Sequence, residues 1–423
     1  MKDDALQTTC DVLVIGAGAA GLATAIFAAR ARPALRVRCL DGARMVGAKI
    51  LVSGGSRCNV TNAQVTERDF RGGSSRRIKA VLRAFPVAQT VAFFTELGVA
   101  LHEEAHGKLF PDSNRSRTVL DALLAECARR KVDLVTGCRV VAVRPVAHHF
   151  EVDAEGRTFQ ARAVVLATGG AALPKSGSDG FGYQLATRLG HSVVPPVPAL
   201  VPLVLGAGPH AVLSGVSHEV EVTVGDAGVT TRLRGALLWT HFGASGPVIL
   251  DASRYWLRAH QEGRSAAVSV NLLPGETADS VDAAMVAAAR EHPRGTLGGL
   301  LKPTLPGAVA EAWVRAEGLS LATAVSQVPR DQRKALAVRL TGTVLDVVGS
   351  RGFVQAETTA GGVSLDEVNP ATMESSVCPG LYLVGELLDV DGRLGGFNFQ
   401  WAWSTGRVAG QALGRILGPT PAN

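Results

Sequence analysis

Cys58 stands in the run VSGGSRCNVTN (52–62), between Arg57 and Asn59 and just past the pair Gly54–Gly55. A thiol flanked by a guanidinium and by glycine-rich backbone amides is predicted to ionise more readily than a free cysteine. That would suit it to give or take a proton at a reacting centre. The competing reading makes Cys58 a small, well-packed residue of a ligand-lining loop. No cysteine lies four or five residues away, so a redox disulfide is not expected. His241, in WTHFGASGPVIL, is the other candidate, projected from a strand end by the turn at Gly243 and Gly246–Pro247, or else capping that turn. His102 and His106, near HGKLFPDSNRSR, form a further candidate pocket edge, with Arg115 and Arg117 available for an anionic substrate. The alternative there is a solvated loop and a helix start capped by Ser116.

The elements that must position these side chains begin at the N-terminus. VLVIG (12–16) has the β-branched, apolar pattern of a strand buried on both faces, and GAGAAG follows at once. Gly16, Gly18 and Gly21 have the G-x-G-x-x-G spacing, which permits a tight turn, backbone approach to a pyrophosphate and close helix–strand packing. An Ala-rich helix follows, and then the strand RVRCLD ends in Asp41, twenty residues after Gly21 and suited to a ribose hydroxyl. The phosphates would lie on the helix N-terminus, where free N–H groups favour anions. An acid at position 41 favours FAD or NAD over NADP.

Three later segments favour FAD. ARAVVLATGGAALP (161–174) is an apolar strand running into Ala167, Thr168, Gly169 and Gly170. GLYLVGELLDVDG (380–392) is a strand ending in Gly385–Glu386, with Asp389 and Asp391 behind it. GGFNFQWAWSTGRVAGQAL (395–413) is a glycine pair opening a long amphipathic helix, whose N-terminal amides would stabilise negative charge on a reduced flavin.

With the N-terminal βαβ unit and "SGGSRCNVTN", the segments "ATGGAALPKSGSDGFGYQLATRLGH", "THFGASGPVIL", "TTAGGV" and "GELLDVDGRLGGFNFQWAWSTGRVAG" resemble, in order and along essentially the whole chain, the bacterial YhiN-like (BaiN-like) flavoproteins of the glutathione-reductase-type FAD superfamily. The resemblance implies one FAD per chain. It places cofactor contacts at Ala19, Ala20, Gly42, Lys49, Ser53 and Val140, besides the glycines and Asp41. Gly54, Gly55, Arg57, Cys58 and Asn59 would line the flavin end, with Glu386, Asp391, Gly395, Gly396, Phe397, Asn398, Phe399 and Gln400. Family members are linked to reduction of carbon–carbon double bonds, including uracil in ribosomal RNA and unsaturated steroid acids, and to oxidation of small aminoketones. Three activities are therefore weighed: an FAD-dependent reductase of an activated double bond in a small molecule or nucleobase, a flavin oxidase of amino or hydroxy ketones producing peroxide, and an RNA-modifying or RNA-binding flavoprotein. NADH or NADPH would be a transient donor, since Gly206–Ala207–Gly208 is followed by Pro209 and a strand pattern rather than the helix a second dinucleotide fold requires.

The expected fold class is α/β: a Rossmann-like FAD domain interrupted by a β-rich insertion with a helical cap. Residues 1–192 carry its first segment, 193–341 the insertion (β part 200–273, helical part 274–340) and 342–423 the second segment, with the Pro-dense stretch 193–202 read as a linker. The net charge of +6 and the basic stretch Arg68–Arg83 admit anionic partners, nucleic acid among them. The six cysteines lack metal-ligand spacing, so no metal site is expected and a reducing cytosol fits. The polar start does not resemble a signal peptide, and the apolar run 12–31 reads as strand, turn and helix rather than a membrane span. The oligomeric state is not legible.

Overall fold

The computed structural model describes residues 8–417, so the first seven residues of that polar start lie outside the described residues. Two compact units are formed, one joining residues up to 198 with those from 357, the other comprising Ala199–Ala356.

The first unit opens with β1 (Thr9–Ile15), α1 (Ala19–Ala31) and β2 (Val37–Asp41), as the sequence predicts. Then come α2 (Ala48–Ser56), β3 (Thr61–Asn62), β4 (Phe70–Gly72), α3 (Ser75–Ala84), α4 (Val87–Glu96), the hairpin β5 (Leu101–Glu104) and β6 (Lys108–Pro111), α5 (Ser116–Arg129) and β7 (Asp133–Thr136). A meander of β8 (Val140–Val146), β9 (His149–Ala154) and β10 (Arg157–Leu166) leads to α6 (Phe181–Arg188) and β11 (Val193–Ala199). After the second unit the chain returns as β19 (Thr358–Val363), β20 (Leu381–Leu383), β21 (Val390–Gly392) and α13 (Phe397–Ile416). The main sheet has the order β7-β2-β1-β10-β9-β8, with β20 also paired to β10. β10 serves three neighbours: residues 157–161 run antiparallel to β9, 160–166 parallel to β1 and 164–166 parallel to β20.

The stretch 193–199 is not a linker but strand β11, paired with β19. Its prolines are tolerable because a strand in a two-stranded pair has one unpaired edge. Ser116 does not cap α5; Arg115 holds the cap position, and the buried Ser116 hydroxyl donates to the Leu51 carbonyl at 2.8 Å. α3 and α4 together form the one stretch among the described residues long and apolar enough to cross a membrane by length and composition. It is broken at Phe85–Pro86, and Ile78, Val81, Leu82, Phe93 and Phe94 are buried in the core. The segment 364–380 is tied down by a line of three side chains. His191 Nδ1 lies 2.8 Å from Glu367 Oε2 and its Nε2 lies 2.9 Å from Ser375 Oγ. The order matches a hydrolase triad, but Ser375 Oγ is buried and accepts the Val377 and Cys378 amides, which makes it a turn anchor.

The second unit contains β12 (Leu203–Leu205), β13 (Ser217–Asp226), β14 (Val229–Thr240), β15 (Gly243–Ser245), α7 (Pro247–Gln261), β16 (Ala266–Asn271), α8 (Ala278–Glu291), α9 (Leu297–Leu301), α10 (Gly307–Ala316), α11 (Arg330–Gly342), β17 (Thr343–Leu345), β18 (Val347–Ser350) and α12 (Gly352–Gln355). Its antiparallel sheet, β17-β16-β13-β14-β15-β12-β18, has a core of its own that includes Val222, Leu237, Trp239 and Trp313. The return expected at 342 comes instead at 357, because β17 pairs with β16 and β18 with β12. Gly208 leads into a short 3-10 turn and then β13, so no dinucleotide helix follows it.

α13 is buried on nearly every side rather than amphipathic. It lies parallel to α1 along a row of glycines at i, i+4 and i+8. A Cβ on Gly406 would stand 2.7 Å from the Ala20 carbonyl oxygen, one on Gly410 2.6 Å from that of Thr24, and one on Gly414 would overlap Ala31. With Gly406 beside Ala20, α13 starts about eight residues ahead of α1, or ~12 Å at the helical rise. α1 is held from its other side by Arg30, whose guanidinium meets the buried Glu126 of α5 at 2.6 Å. Burial alone would raise the Glu126 carboxyl, but Arg130 and Arg30 outweigh it and hold it below the ordinary range. Gly410→Ala should therefore force backbone apart and cost about 1–3 kcal/mol, read as a lower thermal midpoint of the FAD-loaded protein. Gly299→Ala, whose Cβ would meet only Thr296 Oγ1 at 3.6 Å, should leave that midpoint unchanged or slightly raised.

Candidate functional site

At the end of β1 the chain turns on Gly16, whose φ is +102°. A Cβ there would lie 2.5 Å from the Ala167 carbonyl oxygen, and one on Gly21 would overlap the carbonyl of Gly16. Gly18 is different: a Cβ on it would meet nothing within 4 Å. No side chain caps α1 at Gly18, so the amides of Ala19, Ala20 and Gly21 open its first turn toward that free side. This is a cradle of the shape and polarity that a diphosphate needs.

Asp41 braces the same turn. One carboxylate oxygen accepts from the Ala17 amide at 2.7 Å and the other from Ala43 at 2.8 Å. Gly42 packs on Arg139, whose Cβ would be 3.3 Å from a Gly42 Cβ, and Val140 opens β8 immediately after. Sequence reasoning missed Arg139, Asp179 and Phe181, which gather at this end: Arg139 pairs with Asp179 at 2.6 Å and lies 5.1 Å above the Phe181 ring.

Thr168, Gly169 and Gly170 follow β10, with Gly169 at φ +72°. Ser178 Oγ is buried without a protein partner among the described residues, 2.7 Å from where a Gly169 Cβ would sit. Thr359 Oγ1 accepts the Ala171 and Ala172 amides, while its own amide donates to Glu386 Oε1 at 3.0 Å. The other oxygen of Glu386 pairs with Lys49 at 2.5 Å. Gly385, at φ +73°, comes so near α1 that its Cβ would be 2.7 Å from that of Ala20. Tyr183 borders this group, its phenol pushed far above the usual range by burial and then by Glu386.

The run 52–62 resolves into three parts. α2 is regular only to Val52; Ser53 leaves helical geometry, and Gly54 and Gly55 adopt left-handed φ of +54° and +66°. Arg57 turns outward, pairing with Glu104 at 2.6 Å and lying 4.1 Å above the Phe110 ring. Cys58 is wholly enclosed, and burial pushes its thiol up to about 12, only partly offset by a hydrogen bond with Ser53. The expectation of a readily ionised thiol is therefore overturned. Arg57 spends its charge on Glu104, and desolvation, which disfavours a thiolate, is left in control.

Asn59, Val60, Thr61 and Asn62 each bond to the start of α13. The Asn59 amide, oriented by its neighbours, accepts from the Gly396 amide at 3.1 Å and donates to the Thr61 carbonyl at 2.8 Å. Trp403 Nε1 donates to the Val60 carbonyl at 2.9 Å, Thr61 Oγ1 to Gln400 Oε1 at 2.7 Å, and Asn62 Nδ2 to the Gly395 carbonyl at 3.1 Å. Gly395 and Gly396, at φ +129° and +92°, let the two backbones meet, since a Gly396 Cβ would be 2.5 Å from the Thr61 carbonyl oxygen. Gln400 is spent on Thr61, Phe85 and Ser404 and so supports the site rather than lining it. Asn398 closes on the Gly392 backbone, Phe399 stacks on Trp403 at 5.6 Å, and Phe397 and Asp391 are buried. The helix start at Gly396 has no side-chain cap.

His102 lies 3.2 Å from Asp112 and 3.4 Å from Glu104, which makes it a neighbour of Arg57. His106 occupies a left-handed turn, and its carbonyl accepts from Asn62. His241 belongs to the second unit, exposed at the end of β14, with its ring edge-on to Phe242 at 5.1 Å and Arg351 over the same Phe242 at 4.8 Å. Among the described residues no group of three or more His, Cys, Asp or Glu could hold a metal ion.

Residues 10–412 match the HI0933-like protein Rossmann domain. The chain belongs to that family. It is 36% identical over 400 residues to the 3-dehydro-bile acid delta(4,6)-reductase of Clostridium scindens, spanning 94% of this chain and 98% of that one. It is 34% identical over 406 residues to the ribosomal RNA dihydrouridine synthase of Escherichia coli, spanning 95% and 98%. Its fold is similar to that of E. coli quinol fumarate reductase FrdA, with a TM-score of 0.51 at 18% identity over 96% of this chain and 70% of that one. This family member is an FAD-dependent oxidoreductase with the Rossmann-type α/β fold. The residues present fit FAD: an open glycine turn for a diphosphate, an acid at the end of β2, an orphaned buried hydroxyl beside Gly169, and an uncapped helix start at Gly396. Gly18→Val should fold, because the side chain enters open space, yet be isolated without the flavin absorbance band, because that space is where the diphosphate belongs.

Proposed function

We propose that this protein reduces a carbon–carbon double bond conjugated to a carbonyl, in the cytoplasm, with a reduced nicotinamide nucleotide as transient donor. What carries the reading is that two relatives of nearly equal similarity are named for different substrates, a bile acid and a ribosomal nucleobase, while both names describe saturation of such a bond. A donor that visits rather than resides is supported by the turn at Gly206–Gly208, which lacks a dinucleotide helix. A reducing compartment is supported by six buried, unbridged cysteines.

FAD, when bound, supplies the hydride; the chain's residues hold, orient and protonate. In this reading Gly16, Gly18, Gly21 and the first turn of α1 bind the diphosphate, and Asp41 with Val140 and Arg139 the adenosine end. Lys49 and Thr359 fix the rotamer of Glu386, so that its carboxylate would face the cofactor without having to reorganise. The clasp at Asn59–Asn62 fixes the start of α13, whose positive end stabilises negative charge developing beside it. Of the two candidate proton donors, the Cys58 thiol is sealed in, which leaves His241, exposed at the end of its strand, as the group assigned to protonate.

Under anaerobic conditions NADH or NADPH should bleach the flavin band, and an enone or a uridine compound should restore it. Bleaching by an aminoketone alone, followed by peroxide on admission of oxygen, would instead establish an oxidase. His241→Gln should slow restoration by about a hundredfold and leave bleaching unchanged. Cys58→Ser should leave both steps close to the parent rates.

A further inference from the structure

Arg30, Arg38, Arg57, Arg139 and Arg393 of the first unit each lie against an aromatic ring and also pair with a carboxylate. Arg351 of the second unit has the first contact without the second. Its guanidinium lies 4.8 Å above the Phe242 ring and makes no ion pair among the described residues. Asp346, the acid just before β18, is packed against Gly206 instead, where an added Cβ would overlap its carboxylate. The same Phe242 ring takes the edge of His241 at 5.1 Å. Backbone bonds around β12 seat both neighbours: the Leu205 amide donates to the Phe242 carbonyl at 3.1 Å, and the Arg351 amide to that of Pro202 at 3.0 Å. Gly243, at φ +150°, lets the chain after Phe242 press on β12, since a Cβ there would stand 2.4 Å from the Leu203 carbonyl oxygen. Arg351 and His241 are both exposed. Their distances from the shared ring put the guanidinium and the imidazole at most about 10 Å apart. Stacking engages the face of a guanidinium and leaves its in-plane N–H groups free to donate. Arg351 is thus held in place with its donors unused.

We propose that Arg351 is a catalytic residue that binds the carbonyl oxygen of the substrate and stabilises the negative charge that develops on it. The proposal rests on the double-bond reading, with His241 as the proton donor, and deepens it. In that reaction the β-carbon receives the hydride that FAD supplies, the electron pair of the double bond shifts to leave an enolate oxygen, and the α-carbon takes a proton from His241. The substrate gains two electrons and two hydrogens, the reduced cofactor gives up a hydride, and Arg351 keeps its own protons. A donor aimed where the oxyanion forms, and already oriented by Phe242, acts without reorganising as the charge appears. An arginine suits this better than a lysine, because its charge is permanent and its planar fork can meet the oxygen with two N–H groups. A carbonyl oxygen and the α-carbon beside it, each reached at hydrogen-bond length, bridge a gap within the limit that Phe242 sets between the two side chains.

The test uses FAD-loaded protein and two probes. The first is 2-cyclohexenone, added anaerobically to protein whose flavin has been reduced with dithionite. Arg351→Ala should slow the return of the flavin band by about a hundredfold, with an unchanged thermal midpoint and unchanged bleaching by NADPH. Millimolar guanidinium ion should restore part of the lost rate, which a merely structural role would not allow, and Arg351→Lys should fall between parent and Arg351→Ala. The second probe is 4-nitrophenol, whose anion is a stable likeness of an enolate. The parent should bind the phenolate more tightly than the phenol, and Arg351→Ala should weaken phenolate binding about tenfold or more while leaving the phenol unaffected. Arg232→Ala, which removes an exposed cation from β14 of the same unit, should change neither measurement. Band recovery by Arg351→Ala at the parent rate, no preference of the parent for phenolate, or equal losses in Arg232→Ala would overturn the assignment. Failure of the parent on every enone, with phenolate binding still dependent on Arg351, would remove the double-bond reading and leave the oxyanion site standing.

Discussion

The close approach of α13 to α1 is the constraint on which the remainder of the first unit depends. Two parallel helices in side-by-side contact have aligned dipoles that repel weakly, so the pair needs packing to hold it. Gly406, Gly410 and Gly414 provide it by removing every Cβ that would separate the backbones, and Ala20, Ala23, Ala28 and Ala31 answer with the smallest side chains. The geometry that results is functional. Two positive helix ends point the same way, one ~12 Å ahead of the other at the helical rise, so a single extended ligand can lay a diphosphate on the first and a redox ring near the second. Were α13 to slide by one turn, the spacing would no longer suit such a ligand.

The clasp from Asn59 to Asn62 acts on the same helix from the other side. Its bonds reach Gly395, Gly396, Gln400 and Trp403, so the first two turns of α13 are held by the backbone and amide groups of the clasp. Cys58 sits at the root of this clasp, in a left-handed conformation that a non-glycine residue tolerates only when its surroundings over-determine it. The enclosure that keeps the thiol from reacting is the same enclosure that keeps the clasp in register.

How far the sequence discloses this depends on whether the information is local. The strand–glycine–helix opening, the meander before Ala167 and the glycine pair before α13 are readable because spacing and residue type are sufficient. The row Gly406, Gly410, Gly414 has a legible i, i+4 signature too, but only if the helix is taken as a packing surface rather than as an amphipathic end. TGTVLDVV (341–348) has the apolar pattern of a strand and carries β17 and the start of β18, yet its sheet is chosen by β16 and β12, which no local pattern reveals, and RGFVQAETT (351–359), with a similar pattern, begins as the short helix α12. Val193–Ala199 looks like a linker because of its prolines, and its partner β19 lies far along the chain. Cys58 and Arg57 show the same limit in electrostatics: adjacency in sequence suggests an activated thiol, but Glu104 claims the guanidinium, and burial then decides.

The pairing of β11 with β19 has a consequence for the chain as a whole. The strands that flank the second unit in sequence are neighbours in one two-stranded sheet, at a strand spacing of about 5 Å. Both ends of the segment 199–356 are thereby tied to one hydrogen-bond ladder, so loosening either strand strips the other of its partner.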